Sequence, residues 1–118
     1  MSNSCSTQAS FAMFAGDDIR FRISVQDQDT NPVDVSTATD IRFALANQAA
    51  STPLFTKSLS NGIFVDSANV FMVDLVPADT EGLNGKYYFE ADITNLSGNT
   101  YTVLTGYITV KPVSLVGV

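Results

Sequence analysis

The sequence contains no histidine, no tryptophan and a single cysteine, Cys5. Without histidine the commonest general base and the commonest metal ligand are missing. Ser-His-Asp and Cys-His nucleophilic machinery are therefore excluded. One cysteine cannot close an intramolecular disulfide or build a structural zinc site, so folding does not depend on oxidation and is compatible with a reducing cytoplasm. No apolar run approaches the roughly 18 residues of a membrane-crossing helix. The N-terminal stretch MSNSCSTQAS has neither the basic nor the apolar region of a secretory signal, and no glycine-rich phosphate loop occurs. The expectation is a protein with no enzymatic activity, no cofactor and no metal.

Charge is also scarce. Charged residues make up 15% of the chain, against about 25% in an ordinary soluble domain. Twelve acidic residues outweigh six basic ones, for a net charge of −6 and a pI of about 4.1. The basic residues Arg20, Arg22, Arg42, Lys57, Lys86 and Lys111 are scattered, so no patch can neutralise several phosphates. Neither nucleic acid nor an anionic membrane is an expected partner. Apolar residues reach 45% of 118 residues, enough to bury roughly two-thirds of the unfolded chain's surface in one domain. The low charge suggests that partners cover part of the surface.

What the chain has is period-2 alternation. Ile19, Phe21, Ile23 and Val25 alternate with Asp18, Arg20, Arg22, Ser24 and Gln26, the mark of a half-buried strand with one wet face. Tyr87, Phe89, Ala91 and Ile93 alternate with Tyr88, Glu90 and Asp92 in the same way. Further strands are expected at Ile41 to Leu45, Leu54 to Leu59, Ile63 to Val65, Val70 to Val76 and Tyr101 to Val110, the last bent or bulged near Gly106. Val33 to Val35 reads as a short extended piece. Turn chemistry separates the strands: Asp27 to Pro32, the Ala-rich loop Asn47 to Thr52, the hairpin signal Asn61-Gly62, Asp66 to Asn69, and Asn95 to Asn99. One helical turn is expected at Ala78 to Thr80.

Seven to eight short strands with regular turn signals predict an all-β fold, an immunoglobulin-like antiparallel β-sandwich. Tyr87 after Gly85-Lys86 resembles a tyrosine corner, although the Cys…Trp…Cys pattern of true immunoglobulin domains is absent. The expected organisation is an N-terminal segment at 1–13, a partly extended arm; the sandwich at 14–111; and an apolar C-terminal tail at 112–118, which packs on the domain or docks on a neighbour.

Three constellations invite a chemical reading, and each has a plainer one. Asp27-x-Asp29-x-Asn31 begins like a calcium loop, but Pro32 stands where glycine is needed and Ala38 where a bidentate Glu is needed, so a polar turn is expected. Asp17-Asp18 cannot converge, because adjacent strand residues point to opposite faces. Asn95-Leu96-Ser97 is formally a glycosylation sequon and reads as a turn. Tyr88, Tyr101 and Tyr107, with Leu115 and Val116 of the tail, are the candidate interface residues. Ordinary cross-strand packing is the plainer reading for the tyrosines.

The order of several motifs resembles a small β-sandwich domain of tailed-phage and prophage structural proteins, including the N-terminal domain of baseplate upper and tail-fibre-attachment proteins. The matching segments are Ala15-Gly16-Asp17-Asp18-Ile19; Asn31-Pro32-Val33-Asp34-Val35-Ser36-Thr37-Ala38-Thr39, similar to that family's Pro-Val-Asp-Leu-Thr-Gly-Ala-Thr turn; Val76-Pro77-Ala78-Asp79-Thr80; Leu83 to Glu90; and Gly106 to Val110. They span about residues 14–111. The resemblance implies a virion structural protein made in the host cytoplasm, with other virion proteins as partners and a homo-oligomeric or symmetric arrangement. Family members often continue into fibre or receptor-binding regions. A single domain favours instead an adaptor or accessory subunit of the tail or baseplate, or a capsid decoration subunit. The family offers no catalytic residues to carry over. The alternative expectation is a carbohydrate- or receptor-binding module using the loops Asn47 to Thr52 and Asn95 to Asn99 with the exposed tyrosines.

Overall fold

The computed structural model describes residues 7–26, 29 and 31–112. Eight strands follow in order: β1 Thr7–Phe14, β2 Ile19–Ser24, β3 Asp40–Ala46, β4 Phe55–Leu59, β5 Gly62–Ser67, β6 Val70–Leu75, β7 Gly85–Thr94 and β8 Thr100–Lys111, with one helical turn, α1 Pro77–Thr80, between β6 and β7. They form one sheet in the order β1-β8-β7-β3-β4-β5-β6-β2. Among the described residues its two halves join only at β4 and β5, through two residue pairs, Ser58 with Gly62 and Leu59 with Ile63. There the sheet folds over, and the halves face each other as the layers of a sandwich.

Alternation decides what lies between the layers. The inward residues of β3 (Ile41, Phe43, Leu45), β6 (Phe71, Val73, Leu75) and β7 (Phe89, Ala91, Ile93) are all buried. Five phenylalanines from five strands form the spine of the core. Phe43 stacks near Phe89 at 5.4 Å between ring centroids, Phe21 at 6.4 Å and Phe55 at 6.5 Å. Phe11 lies 5.7 Å from Phe89 and 4.8 Å from Phe21. The Phe11–Phe21 contact joins β1 to β2, the two ends of the sheet, so side chains rather than backbone bonds close the curl.

Three features differ from the sequence expectation. The segment expected to be an arm includes β1, which pairs in parallel with β8 from Thr7–Leu104 to Phe14–Lys111. The sandwich therefore starts before residue 14, with Met13 buried. A parallel partner this far along the chain leaves no local signal, and exposed Ala12 and Phe14 blur the alternation. Asn61-Gly62 turns the chain, but not into a hairpin: positive φ falls at Ser60 (68°) and Gly62 (97°), and β5 continues parallel to β4. The irregularity in the last strand lies not at Gly106 but between Ala91 and Asp92 of β7. There Leu104 pairs with Ala91 and Thr102 with Asp92, leaving Val103 as the extra residue; Val103 and Leu104 are both buried. The short piece Val33 to Val35 lies between β2 and β3, outside the strands of the sheet. Val35 is nevertheless buried, its N–H donating to the Ala68 carbonyl at 2.6 Å.

Turns are fixed by the chemistry their residues carry. Asp34 Oδ1 accepts from the Ser36 hydroxyl at 2.6 Å and the Ser36 N–H at 2.8 Å; the hydroxyl bond, then the backbone bond, hold its carboxyl below the usual carboxylate range. Tyr87 makes the corner contact expected of it: its hydroxyl accepts from the Asn84 N–H at 3.0 Å and donates to the Asn84 carbonyl at 3.3 Å. The buried Thr80 hydroxyl accepts from the Gly16 N–H at 2.9 Å, tying α1 to the β1–β2 turn. Lys57, on the inward face of β4, reaches Asp79 of α1 at 2.7 Å, both side chains about 15% exposed. Asp79 also accepts the Val76 N–H at 2.8 Å. A Cβ on Gly62 would stand 2.6 Å from Lys57 Cδ, so glycine there makes room for the lysine stem.

Candidate interaction surface

The strand register places the candidate tyrosines. Tyr88 of β7 pairs with Tyr107 of β8. Their neighbours in the same row are Ala46 of β3 and Ser10 of β1, across the outer face of the sheet. The two rings meet edge to face, 5.8 Å apart at 68°, the arrangement that aromatic quadrupoles favour. Lys86 Nζ sits 4.6 Å above the Tyr107 ring. The Tyr88 hydroxyl donates to Glu90 Oε2 at 3.1 Å. Burial first, then the hydrogen bond and the charge of Glu90, push the Tyr88 hydroxyl up to about 12. At neutral pH it is therefore a fixed donor, not a base.

A second carboxylate on this face is also held. Asp92 accepts from Arg42 Nη2 at 3.2 Å and from the Thr102 hydroxyl at 3.0 Å. The result is an ordered platform of two half-buried tyrosines, bordered by Lys86, Glu90 and the Arg42–Asp92 ion pair. Such a face can exclude water from a partner's surface with little ordering cost, because its side chains are already held.

Beside Tyr88 the β3–β4 loop rises over the sheet. Ala44 and Ala46 keep the floor low, and the loop residues Gln48, Ser51 and Pro53 face Tyr88 and Glu90 across a groove of about 140 Å³. Leu54 returns the loop to β3 through its N–H, 2.6 Å from the Leu45 carbonyl. The sequence grouped this loop with exposed tyrosines, and the structure places Tyr88 beside it.

Tyr101 does not join this face. It pairs with Ile93, a core residue, and so lies at the inner rim of the sandwich, 41% exposed. Its hydroxyl accepts from Asn95 Nδ2 at 3.3 Å. Asn95 Oδ1 in turn accepts from the N–H groups of Ser97 and Asn99, each at 3.0 Å. The sequon asparagine thus organises the β7–β8 turn. Leu115 and Val116 lie outside the described residues, as do Asp27 and Gln28 of the acidic turn. That turn is closed by a bridge between Gln26 and Pro32. No group of three or more metal-ligating side chains occurs among the described residues. Sequence reasoning passed over Ala44, Ala46 and Lys86, although all three follow from register: each sits in or beside the Tyr88–Tyr107 row.

No protein-family model and no characterised protein sequence matches the chain. Solved structures do. CopC from Methylosinus trichosporium OB3b superimposes with a TM-score of 0.52 at 12% identity, over 92% of this chain and 89% of that one. AggA, the major subunit of aggregative adherence fimbriae type I from Escherichia coli, gives 0.40 at 13% identity over 86% and 89%. Murine CRIg gives 0.38 at 10% identity over 94% and 94%. At 12% identity what is shared with CopC is the fold alone, an immunoglobulin-like β-sandwich.

Proposed function

We propose that the chain is a non-enzymatic structural protein of a tailed-phage virion. It acts as an oligomeric adaptor or accessory subunit of the tail or baseplate, or as a decoration subunit of the capsid. The observation that carries this reading is the outer face of β8, β7 and β3: a preordered tyrosine pair on the sheet, bordered by Lys86, Glu90 and the Arg42–Asp92 ion pair. That chemistry suits docking on another protein. The motif order from Gly16-Asp17-Asp18 to Gly106-Tyr107-Ile108 supplies the resemblance to virion domains, and many symmetric copies let each contact be weak. Mass spectrometry of separated heads and tails, from particles of the phage encoding this sequence, tests the proposal. Stoichiometric recovery in one fraction supports it. Absence from both refutes it.

A second reading rests on one specific feature, the groove between Tyr88 and the β3–β4 loop. An aromatic wall, an alanine floor and the polar Gln48 and Glu90 form a setting in which a sugar ring or a receptor side chain can stack and hydrogen-bond. A glycan array probed with the full chain distinguishes this reading. A hit abolished by Tyr88→Ala favours it, and no hits count against it.

A further inference from the structure

We propose that the free edge of β1 is a pairing edge that takes the β1 strand of a second copy of this chain, antiparallel, joining two sandwiches into one continuous sheet. β1 ends the strand order. It is bonded to β8 along its whole length, Thr7 to Phe14, and among the described residues no strand pairs with its other side. In a strand, alternate residues turn their N–H and C=O groups away from the existing partner, so this edge presents a row of backbone donors and acceptors. Natural edges of that length are usually blunted by a lysine, a proline, a bulge or an inward-pointing charge. The sequence of β1, TQASFAMF, has no charged residue and no proline, and its register to β8 runs without a shift.

The opposite end of the sheet shows what a guarded edge looks like here. β2 carries Arg20 and Arg22 on its exposed face. Arg20 is engaged by Asp74 through two bonds, at 2.6 and 3.2 Å, and Asp17 and Asp18 stand just before the strand. Antiparallel self-pairing of β2 would set arginine near arginine, and like charges facing across strands are destabilising. Self-pairing of β1 brings no charge opposite any other.

That self-compatibility selects the occupant. A two-fold pair presents each surface to itself, which a neutral strand permits and a charged one resists. The outward residues Ser10 and Ala12 are small and exposed, so nothing bulky there hinders a neighbouring strand. Pairing would also extend the outer face: Ser10 lies in the Tyr88–Tyr107 row, and the two-fold axis would carry that row into the partner's copy. Because each body carries −6, the approach is opposed by long-range repulsion that salt screens within about 10 Å at 0.1 M. Association should therefore strengthen with ionic strength, the reverse of binding to a cationic partner.

Sedimentation velocity of the full chain, at concentrations up to several hundred micromolar, tests the inference, which holds or fails independently of the virion reading. The expected result is a monomer–dimer equilibrium that shifts toward dimer between 20 and 300 mM NaCl. The double variants Ser10→Lys/Ala12→Lys and Ser10→Glu/Ala12→Glu should each weaken it at least ten-fold while keeping the wild-type thermal transition, since both positions are exposed. Mixing the two variants should restore pairing as a heterodimer. A wild-type chain that stays monomeric throughout overturns the proposal. So does a dimer that survives both variants, or a mixture that does not reassociate.

Discussion

Truncating Phe11 asks whether β1 belongs to the sandwich. Its ring lies 4.8 Å from Phe21 and 5.7 Å from Phe89, and it is half-buried against the core. Removing a fully buried phenylalanine ring costs about 3–5 kcal/mol. Phe11 keeps some exposure and sits at the seam, where neighbours can partly collapse, so we expect about 2–3 kcal/mol for Phe11→Ala. Part of that is loss of two aromatic pairs, each worth about 0.5–1.5 kcal/mol beyond area. Phe14, three residues along the same strand, is 52% exposed and serves as the internal control. Phe14→Ala should stay within about 0.5 kcal/mol of wild type. Urea unfolding monitored by circular dichroism gives both numbers, and an unchanged m-value would show that the compactness of both states is preserved. If Phe11→Ala is as mild as Phe14→Ala, β1 does not seal the seam and the description of the fold is wrong at that strand.

Other consequences are smaller but as definite. Gly62→Ala should destabilise by about 1–3 kcal/mol, because φ of 97° is costly for a residue with a Cβ; shortening the neighbour as well, Lys57→Ala/Gly62→Ala, should not recover that loss, as chemical denaturation would show. Asn95→Ala, which strips two backbone N–H groups of their acceptor, should cost about 1–2 kcal/mol and lower the melting temperature. In an ultraviolet titration of the folded chain the Tyr88 hydroxyl should ionise near the value of about 12 to which burial and Glu90 raise it; Tyr88→Phe should remove that step. The sign follows from linkage: a folded pKa above the unfolded one means the native state holds the proton more tightly. Tyr88's contribution is therefore complete below pH about 10 and lost as pH climbs toward 12.

Legibility in the sequence tracked how local each cause is. β2 and β7 could be read directly because one face is buried and one is wet, so Phe21, Ile23, Phe89 and Ile93 alternate with Arg20, Arg22, Glu90 and Asp92. The helical turn at Pro77–Thr80 and the Tyr87 corner are likewise local. β1 was not legible: its partner is β8, at the far end of the chain, and its exposed face carries Ala12 and Phe14 rather than charges. Asn61-Gly62 announced a turn truthfully, but whether the next strand runs back beside the last or crosses to the other layer depends on the core, not on the turn. Tyr88 and Tyr107 were identifiable as residues of interest, and their pairing follows from register alone. Tyr101 was grouped with them because the extra residue Val103, which alters the register of β8, has no signature in composition. The groove could not have been foreseen from Asn47 to Thr52, since it depends on the loop folding back over two alanines in β3.

On the proposed reading, the outer tyrosine face is where another virion protein would dock. Hydroxyl-radical footprinting of Tyr88 and Tyr107, compared between the isolated chain and assembled particles, tests this most directly. Strong protection of both rings in particles, with Tyr101 serving as an internal comparison from a different part of the surface, is the predicted result. Equal labelling of Tyr88 and Tyr107 in the two states would contradict the account.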